Sequence, residues 1–215
     1  MTPAMEPDAA LHQPTTAKRP NIDFVTDRLA TGGDLHPDPA MAAEELDTLV
    51  AAGITHVVDV RIEWNDEDLV ARHAPELTYI HLGIDDAGQR VPDEWFDQGV
   101  AAASNALAQP SSKVLTHCHM GINRGPSLAF AVLLWDGWDP VEALDAIRRA
   151  RPIAAIGYAE DALRHFHVRA AVPLAQREEN WHRMRTWFRE NQIDVANIIR
   201  GIRAAEGTVY RGPAG

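Results

Sequence analysis

Residues Lys113–Trp135, KVLTHCHMGINRGPSLAFAVLLW, join a strand pattern to a helix pattern around the only cysteine of the chain. Val114, Leu115 and Thr116 read as the end of a short buried strand, and Leu128–Trp135 as a buried helix. Residues 118–124 then make a tight turn between the two. Pro126 falls in the first helical turn, where a missing N–H breaks no helical hydrogen bond. The N–H groups of such a turn, with those opening the helix, converge on one spot. Their orphan donors and the helix dipole amount to about half a positive charge, so that spot suits an anion.

The residue types around the cysteine suit attack on phosphorus. A free thiol is only about 3% thiolate at neutral pH, and an electropositive cradle lowers its pKa to between about 3.5 and 7.5. Arg124, six residues on, offers a planar fork to two phosphate oxygens, which a lysine cannot do. Gly121 lets the loop turn without a Cβ in the way of the anion. A lone cysteine after a strand is commonly just a small buried hydrophobe; the accompanying histidine, glycine and arginine favour the chemical reading.

His117, Cys118, Gly121 and Arg124 spell H-C-x-x-G-x-x-R, which resembles the signature loop of the cysteine-dependent protein tyrosine and dual-specificity phosphatases. The resemblance covers residues 21 to about 172. It implies an α/β fold with a mostly parallel central sheet flanked by helices, and metal-independent phosphomonoester hydrolysis through a phosphocysteine, with no cofactor. It also implies Cys118 as nucleophile, Arg124 with the loop N–H groups as phosphate clamp, and His117 in support of the thiolate region. His119, Met120, Gly121, Ile122, Asn123 and Gly125 are the expected substrate-binding positions of the loop. In such phosphatases an aspartate stands about ten residues ahead of a phenylalanine on the next helix, and Asp86 precedes Phe96 by ten. Asp86 is the expected general acid, worth typically ~10² to 10⁴ in rate, and Asp85 takes the role if the register slips by one.

Two positions depart from the resemblance. Its loops usually follow the arginine with Ser or Thr, whose hydroxyl assists the thiolate and the second hydrolytic step, whereas this chain has Gly125. Many relatives also carry an Asn bracing the loop from before their last helix; here Ala154, Ala155, Ile156 and Gly157 offer no such side chain. Slow turnover follows as an expectation, and three readings stay open. They are a protein phosphatase acting on phosphotyrosine and on phosphoserine or phosphothreonine, a phosphatase of a small phosphorylated metabolite, and a phosphate-binding module without turnover. Arsenate reduction, which uses a similar loop with further thiols, fits a single cysteine less well.

Composition narrows the setting. The net charge of −11 and the 31 acidic residues against 20 basic ones disfavour nucleic acid and anionic membranes as partners. One cysteine excludes an internal disulfide and points to a reducing cytoplasm. No apolar run approaches the ~18 residues of a membrane span.

Outward from the loop, residues 1–20 read as a disordered leader. Asn21–Thr31 resembles the opening hairpin of dual-specificity phosphatases, with Gly32-Gly33 as its turn. Met41–Ala52 and Asp93–Ala108 have helical spacing, and Ile54–Val60 and Leu77–Leu82 read as strands. Asp59 and Arg61 stand at a strand's carboxyl end, where ligands bind in open α/β sheets, although strand-end charges are more often solvated or capping. Glu63–Asp68 reads as a surface loop. Asp139-Pro140 opens a helix over Val141–Arg149. His165 and His167 read as surface residues on different helix faces rather than metal ligands. Beyond 172, over 173–215, two helical patterns form an extension packed on the catalytic domain, with a dimer interface or lid as the alternative. The stripe of Trp181, Met184, Trp187 and Phe188 supplies its apolar face. Oligomeric state has no sequence signal.

Overall fold

A computed structural model describes residues 21–209, with side chains through residue 204; the leader expected at 1–20 lies outside the described residues. The elements in chain order are β1 (Ile22–Phe24), β2 (Leu29–Gly32), α1 (Pro39–Ala51), β3 (His56–Arg61), α2 (Glu67–His73), β4 (Thr78–Ile84) and α3 (Asp93–Leu107). They continue with β5 (Val114–His117), α4 (Arg124–Trp135), α5 (Pro140–Ala150), α6 (Ala159–Arg169), α7 (Leu174–Glu190) and α8 (Val195–Val209). The strands form one sheet in the order β1-β2-β5-β3-β4. Only β1 runs antiparallel; β2, β5, β3 and β4 pair in parallel. This is the expected α/β fold with a mostly parallel central sheet.

The central strand β5 sits between β2 and β3, with Thr116 opposite both Thr31 and Val58. Its four residues are all buried, as a strand covered on both faces requires. On one side of the sheet lies α4, apolar all round and essentially unexposed from Leu128 to Leu134, packed against α3, α5 and α6. On the other side Leu46 and Leu49 of α1 and Val70 of α2 close a second cluster with Ala30, Val57 and Leu115. Helix starts follow local chemistry. Asp38 and Asp139 each precede a proline and accept hydrogen bonds from N–H groups of the first turn, as N-caps do.

The opening hairpin differs from expectation. Its reversal lies over residues 25–28, where Thr26 Oγ1 accepts from Arg28 N and Leu29 N. Gly32 instead ends β2, where a Cβ would collide with Asn21 O, so that glycine serves close approach rather than the turn. Residues 63–68 are only partly loop, because Glu67 and Asp68 open α2, where their charge complements the helix dipole.

His165 and His167 depart further from expectation. Both are buried, at 1% and 2% exposure, because α6 is covered on two sides. His165 Nε2 meets Asp97 of α3 at 2.8 Å, and His167 Nε2 lies 3.1 Å from Asn180 Nδ2 of α7. α7 in turn packs on α5, with Met184 and Trp187 buried, Trp187 Nε1 donating to Asp145 at 2.6 Å and Arg183 paired with Asp139. Among the described residues no helix is long and apolar enough to cross a membrane.

Candidate active site

β5 ends at His117 and α4 begins at Arg124, so the six residues between them form the loop outlined by sequence spacing. Thr116 Oγ1 donates to Gly125 O at 3.0 Å and Cys118 N to Gly32 O at 3.3 Å, which tie both ends of the loop to the sheet. Cys118 lies at the bottom, 2% exposed. Gly121 has φ +64°, and a Cβ there would strike the guanidinium of Arg151, so two independent reasons require glycine.

Arg151 braces the loop. Its guanidinium is buried beneath it, donating from Nε to Gly121 O at 2.6 Å and from Nη2 to Met120 O at 3.0 Å. Further bonds reach Asn21 Oδ1 at 2.8 Å and Asp23 Oδ2 at 2.7 Å. A peptide plane whose carbonyl is held outward presents its N–H on the opposite side, so Arg151 sets the polarity of the cradle from behind. Nothing in its sequence neighbourhood points to this role. The brace expected of an Asn before α6 is replaced by backbone groups: Ala155 N donates to Ile122 O at 2.7 Å. Ile156 beside it has φ +54°, a left-handed conformation that costs a non-glycine residue about 1–2 kcal/mol.

Arg124 is fixed by a partner that sequence reading missed. Glu63 accepts from Nη1 at 2.8 Å and from Nη2 at 2.7 Å, and Ile84 O accepts from Nη1 at 2.8 Å. The fork therefore faces Glu63 with one edge. Its Nε is buried and has no hydrogen-bond partner among the described residues. A buried unpaired donor costs about 1–3 kcal/mol, and an anion in the loop would relieve that. Burial works against the charge of Arg124, but the hydrogen bonds to Glu63 together with the negative charges around it outweigh that and raise its pKa; those same bonds draw Glu63 down to about 2.

Asp86 stands over the loop. Oδ2 is 3.5 Å from Arg124 Nε, and Oδ1 accepts from Asn123 Nδ2 at 2.6 Å and from Tyr158 Oη at 3.0 Å. Asp85 faces its own turn, accepting from Asp86 N at 2.8 Å and, through its carbonyl, from Gln89 Nε2 at 2.5 Å. The ten-residue spacing to Phe96 thus selects the aspartate that meets the arginine.

The remaining loop positions divide by direction. His119 Nδ1 meets Asp34, and its ring lies edge-on to Trp64 at 5.2 Å, with Trp64 47% exposed. Met120 is half-buried, and the side chain of Ile122 is buried. Ser127 Oγ accepts from Tyr158 N at 3.1 Å and lies 3.4 Å from Asn123 Oδ1, so its polar contacts are committed to the start of α6. A Cβ on Gly125 would sit 3.1 Å from both His117 Cα and Thr116 O, tighter than ordinary packing.

Behind the loop, Asp59 and Arg61 are buried rather than solvated. Arg61 binds Asp59 from Nε at 2.8 Å and from Nη2 at 2.6 Å, and reaches Asp34 at 2.6 Å and Asp66 at 2.5 Å. Tyr79 Oη donates to Asp59 as well. Burial raises the Asp59 pKa, yet the hydrogen bond from Arg61 and the neighbouring positive charge leave it below the usual carboxylate value. Oxygen and nitrogen atoms of Asp59, Asp66 and His117 lie within 4.8 Å of one another, a spacing a metal ion could use. The cation there is the Arg61 guanidinium, which bridges both carboxylates. His117, 3.7 Å from Asp59, is held below the usual histidine pKa by burial, against the pull of that carboxylate.

The family model described as "Dual specificity phosphatase, catalytic domain" matches residues 39–193. Dual specificity protein phosphatase 13B of Mus musculus is 30% identical over 123 residues, 53% of this chain and 59% of that protein, so the chain spans about three-fifths of that relative's length. A mouse putative dual specificity phosphatase, solved in complex with zinc tungstate, superposes with a TM-score of 0.59 at 21% identity, covering 80% of this chain and 99% of its own. Human DUSP28 gives 0.56 at 21% identity over 69% of this chain and 95% of its own. At these identities the two structures speak for the fold alone.

Proposed function

The chain belongs to the dual specificity phosphatase catalytic-domain family, and from that premise we propose that it hydrolyses phosphomonoesters through a phosphocysteine on Cys118, with phosphotyrosine and phosphoserine or phosphothreonine of proteins as substrates. The observation that carries the reading is the buried Nε of Arg124, which makes no hydrogen bond among the described residues and has the Asp86 carboxylate 3.5 Å away, beside the loop of Cys118 between β5 and α4. An anion in that loop would supply the missing acceptor.

In the first step the Cys118 thiolate donates an electron pair to phosphorus, and the bond from phosphorus to the ester oxygen breaks. Asp86, entering protonated, passes its proton to that leaving oxygen. Arg124 and the loop N–H groups hold the equatorial oxygens as their charge grows. In the second step water attacks the phosphocysteine, Asp86 takes the water's proton, and the P–S bond breaks to release phosphate and thiolate. Neither step calls for a metal.

The loop side chains His119, Met120, Ile122 and Asn123 include no lysine or arginine, which disfavours a substrate bearing several phosphates. A half-exposed Trp64 edge-on to His119 offers an apolar wall for an aryl group. A reducing cytoplasm suits an enzyme whose one thiol is its nucleophile. Gly125 supports a second reading, phosphate binding without turnover, because the nearby Ser127 hydroxyl is engaged by Tyr158 N and Asn123.

Hydrolysis of p-nitrophenyl phosphate in EDTA by wild type, Cys118→Ser and Asp86→Asn tests the proposal. The expected result is activity that survives EDTA, vanishes in Cys118→Ser and falls ~10²-fold or more in Asp86→Asn. Wild type no faster than Cys118→Ser would overturn it in favour of phosphate recognition.

A further inference from the structure

The carboxylate of Asp86 is held from both sides by groups of this chain that the signature motif does not specify. Asn123 precedes Arg124, and its amide is spent at both ends. Oδ1 accepts from Gly157 N at 2.6 Å, and Nδ2 donates to Asp86 Oδ1 at 2.6 Å. Gly157 has no side chain where one would obstruct this, since a Cβ there would come within 2.8 Å of Asn123 Oδ1.

Tyr158 supplies the second hold. It is 4% exposed, and its hydroxyl donates to Asp86 Oδ1 at 3.0 Å while accepting from Gly88 N at 3.3 Å; Gln89 Oε1 is a further neighbour at 3.3 Å. Burial first, and the Asp86 charge after it, push the Tyr158 phenol up to about 12, so it remains a protonated donor throughout the working range of an enzyme. The loop it grips also closes on itself, since Gln89 Oε1 accepts from Ala87 N at 2.9 Å and Gln89 Nε2 reaches Asp85 O at 2.5 Å. Gly88, at φ +72°, makes that curl possible.

We infer that Asn123 and Tyr158 are positioning residues that hold Asp86 over the signature loop, so that the proton donor is in place before substrate enters. The inference rests on the reading of Asp86 as general acid. It reverses the direction of the missing brace. Where relatives place the bracing Asn, Ala154, Ala155, Ile156 and Gly157 offer no such side chain; instead Asn123 reaches from the signature loop to Gly157 and uses its other end on the acid.

Aryl phosphates that differ in leaving group supply the test. Phenyl phosphate needs its leaving oxygen protonated, while the 2,4-dinitrophenolate released from 2,4-dinitrophenyl phosphate departs as a stable anion and needs little help. Asn123→Ala and Tyr158→Phe are each expected to lower kcat/KM for phenyl phosphate ~10-fold or more, the worth of a hydrogen bond to a charged group. The dinitrophenyl ester should change no more than about threefold, and inhibition by inorganic phosphate should persist. In an Asp86→Ala background both substitutions should become nearly silent, as residues acting through one group do. Equal losses on both esters, or losses that add to that of Asp86→Ala, would mean a structural role for the loop and would overturn the inference. Should Asp86→Ala itself fall equally on both esters, the general-acid reading fails first, and that outcome is separable from the others.

Discussion

Replacing Arg151 by methionine keeps the bulk under the signature loop and removes all four of its hydrogen bonds. The carbonyls of Gly121 and Met120 then lose their donor beneath the loop, at about 1–3 kcal/mol for each buried acceptor left unpaired. The bond to Asp23 adds little, because that carboxylate is 41% exposed and a pair so solvated is worth under about 1 kcal/mol. Together the loss should come to about 3–5 kcal/mol, which for a slope of about 2 kcal/mol/M lowers the urea midpoint by about 1.5–2.5 M. The second consequence is functional. Once its carbonyls are free to turn, the loop loses the peptide orientation that Arg151 fixes, and inorganic phosphate should inhibit ~10-fold more weakly, the cost of one lost charge-assisted bond. Arg151→Lys should rescue neither property, since one ammonium cannot span acceptors on Asn21, Asp23, Met120 and Gly121. Urea unfolding and phosphate inhibition measure the two effects separately. A variant within about 1 kcal/mol of wild type, with phosphate inhibition unchanged, would refute the claim that Arg151 sets the loop's polarity.

Arg61→Met strands the buried Asp59 beside Asp34 and Asp66, and should cost about 3–5 kcal/mol in chemical unfolding; adding Asp59→Asn should recover part of that loss, and a further loss would contradict the pairing. Glu63→Gln tests a pH dependence. Hydrogen bonding to Arg124 draws the Glu63 pKa from 4.5 to about 2, so its stabilisation is present above pH 4.5 and disappears as pH falls toward 2. With the side chain 36% exposed, screening reduces that stabilisation to about 1 kcal/mol, and urea midpoints of wild type and variant should converge over this window; a constant gap would exclude the carboxylate as its source. Gly125→Ala and Gly125→Ser both push a Cβ against His117 and Thr116, at about 1–3 kcal/mol. If the absent hydroxyl limits turnover, the serine variant should hydrolyse p-nitrophenyl phosphate ~10-fold or more faster than the alanine variant, and equal rates would acquit Gly125.

What could be read from sequence was local. A strand, a turn rich in small residues and an apolar helix are set by neighbours in the chain, and the signature stretch places Cys118 and Arg124 within that frame. The spacing from Asp86 to Phe96 leads to a carboxylate beside Arg124 for the same reason, since a short loop between β4 and α3 leaves little freedom. Arg151 and Glu63 were illegible because their partners are 30 and 61 residues away; nothing in either neighbourhood says which carbonyl or guanidinium the fold brings near. Asp59 and Arg61 misled in another way. Residues two apart on a strand share a face, but long side chains there usually splay into solvent, whereas the register shift between these two lets Arg61 fold back onto Asp59. The histidines of α6 show the same limit. Periodicity assigns faces to a helix, but it does not reveal that α3 covers one and α7 another.

Cys118 is the one sulfhydryl among 215 residues, and it lies nearly enclosed in the signature loop. Alkylation stoichiometry can therefore be read by intact mass alone, with no cysteine-free background and no peptide mapping. An anionic alkylator such as iodoacetate should be drawn to the loop's positive field, while neutral iodoacetamide reports burial without that attraction. The ratio of the two rates is a direct gauge of the field in the loop, and protection by phosphate would count phosphate-binding molecules in a preparation without any substrate.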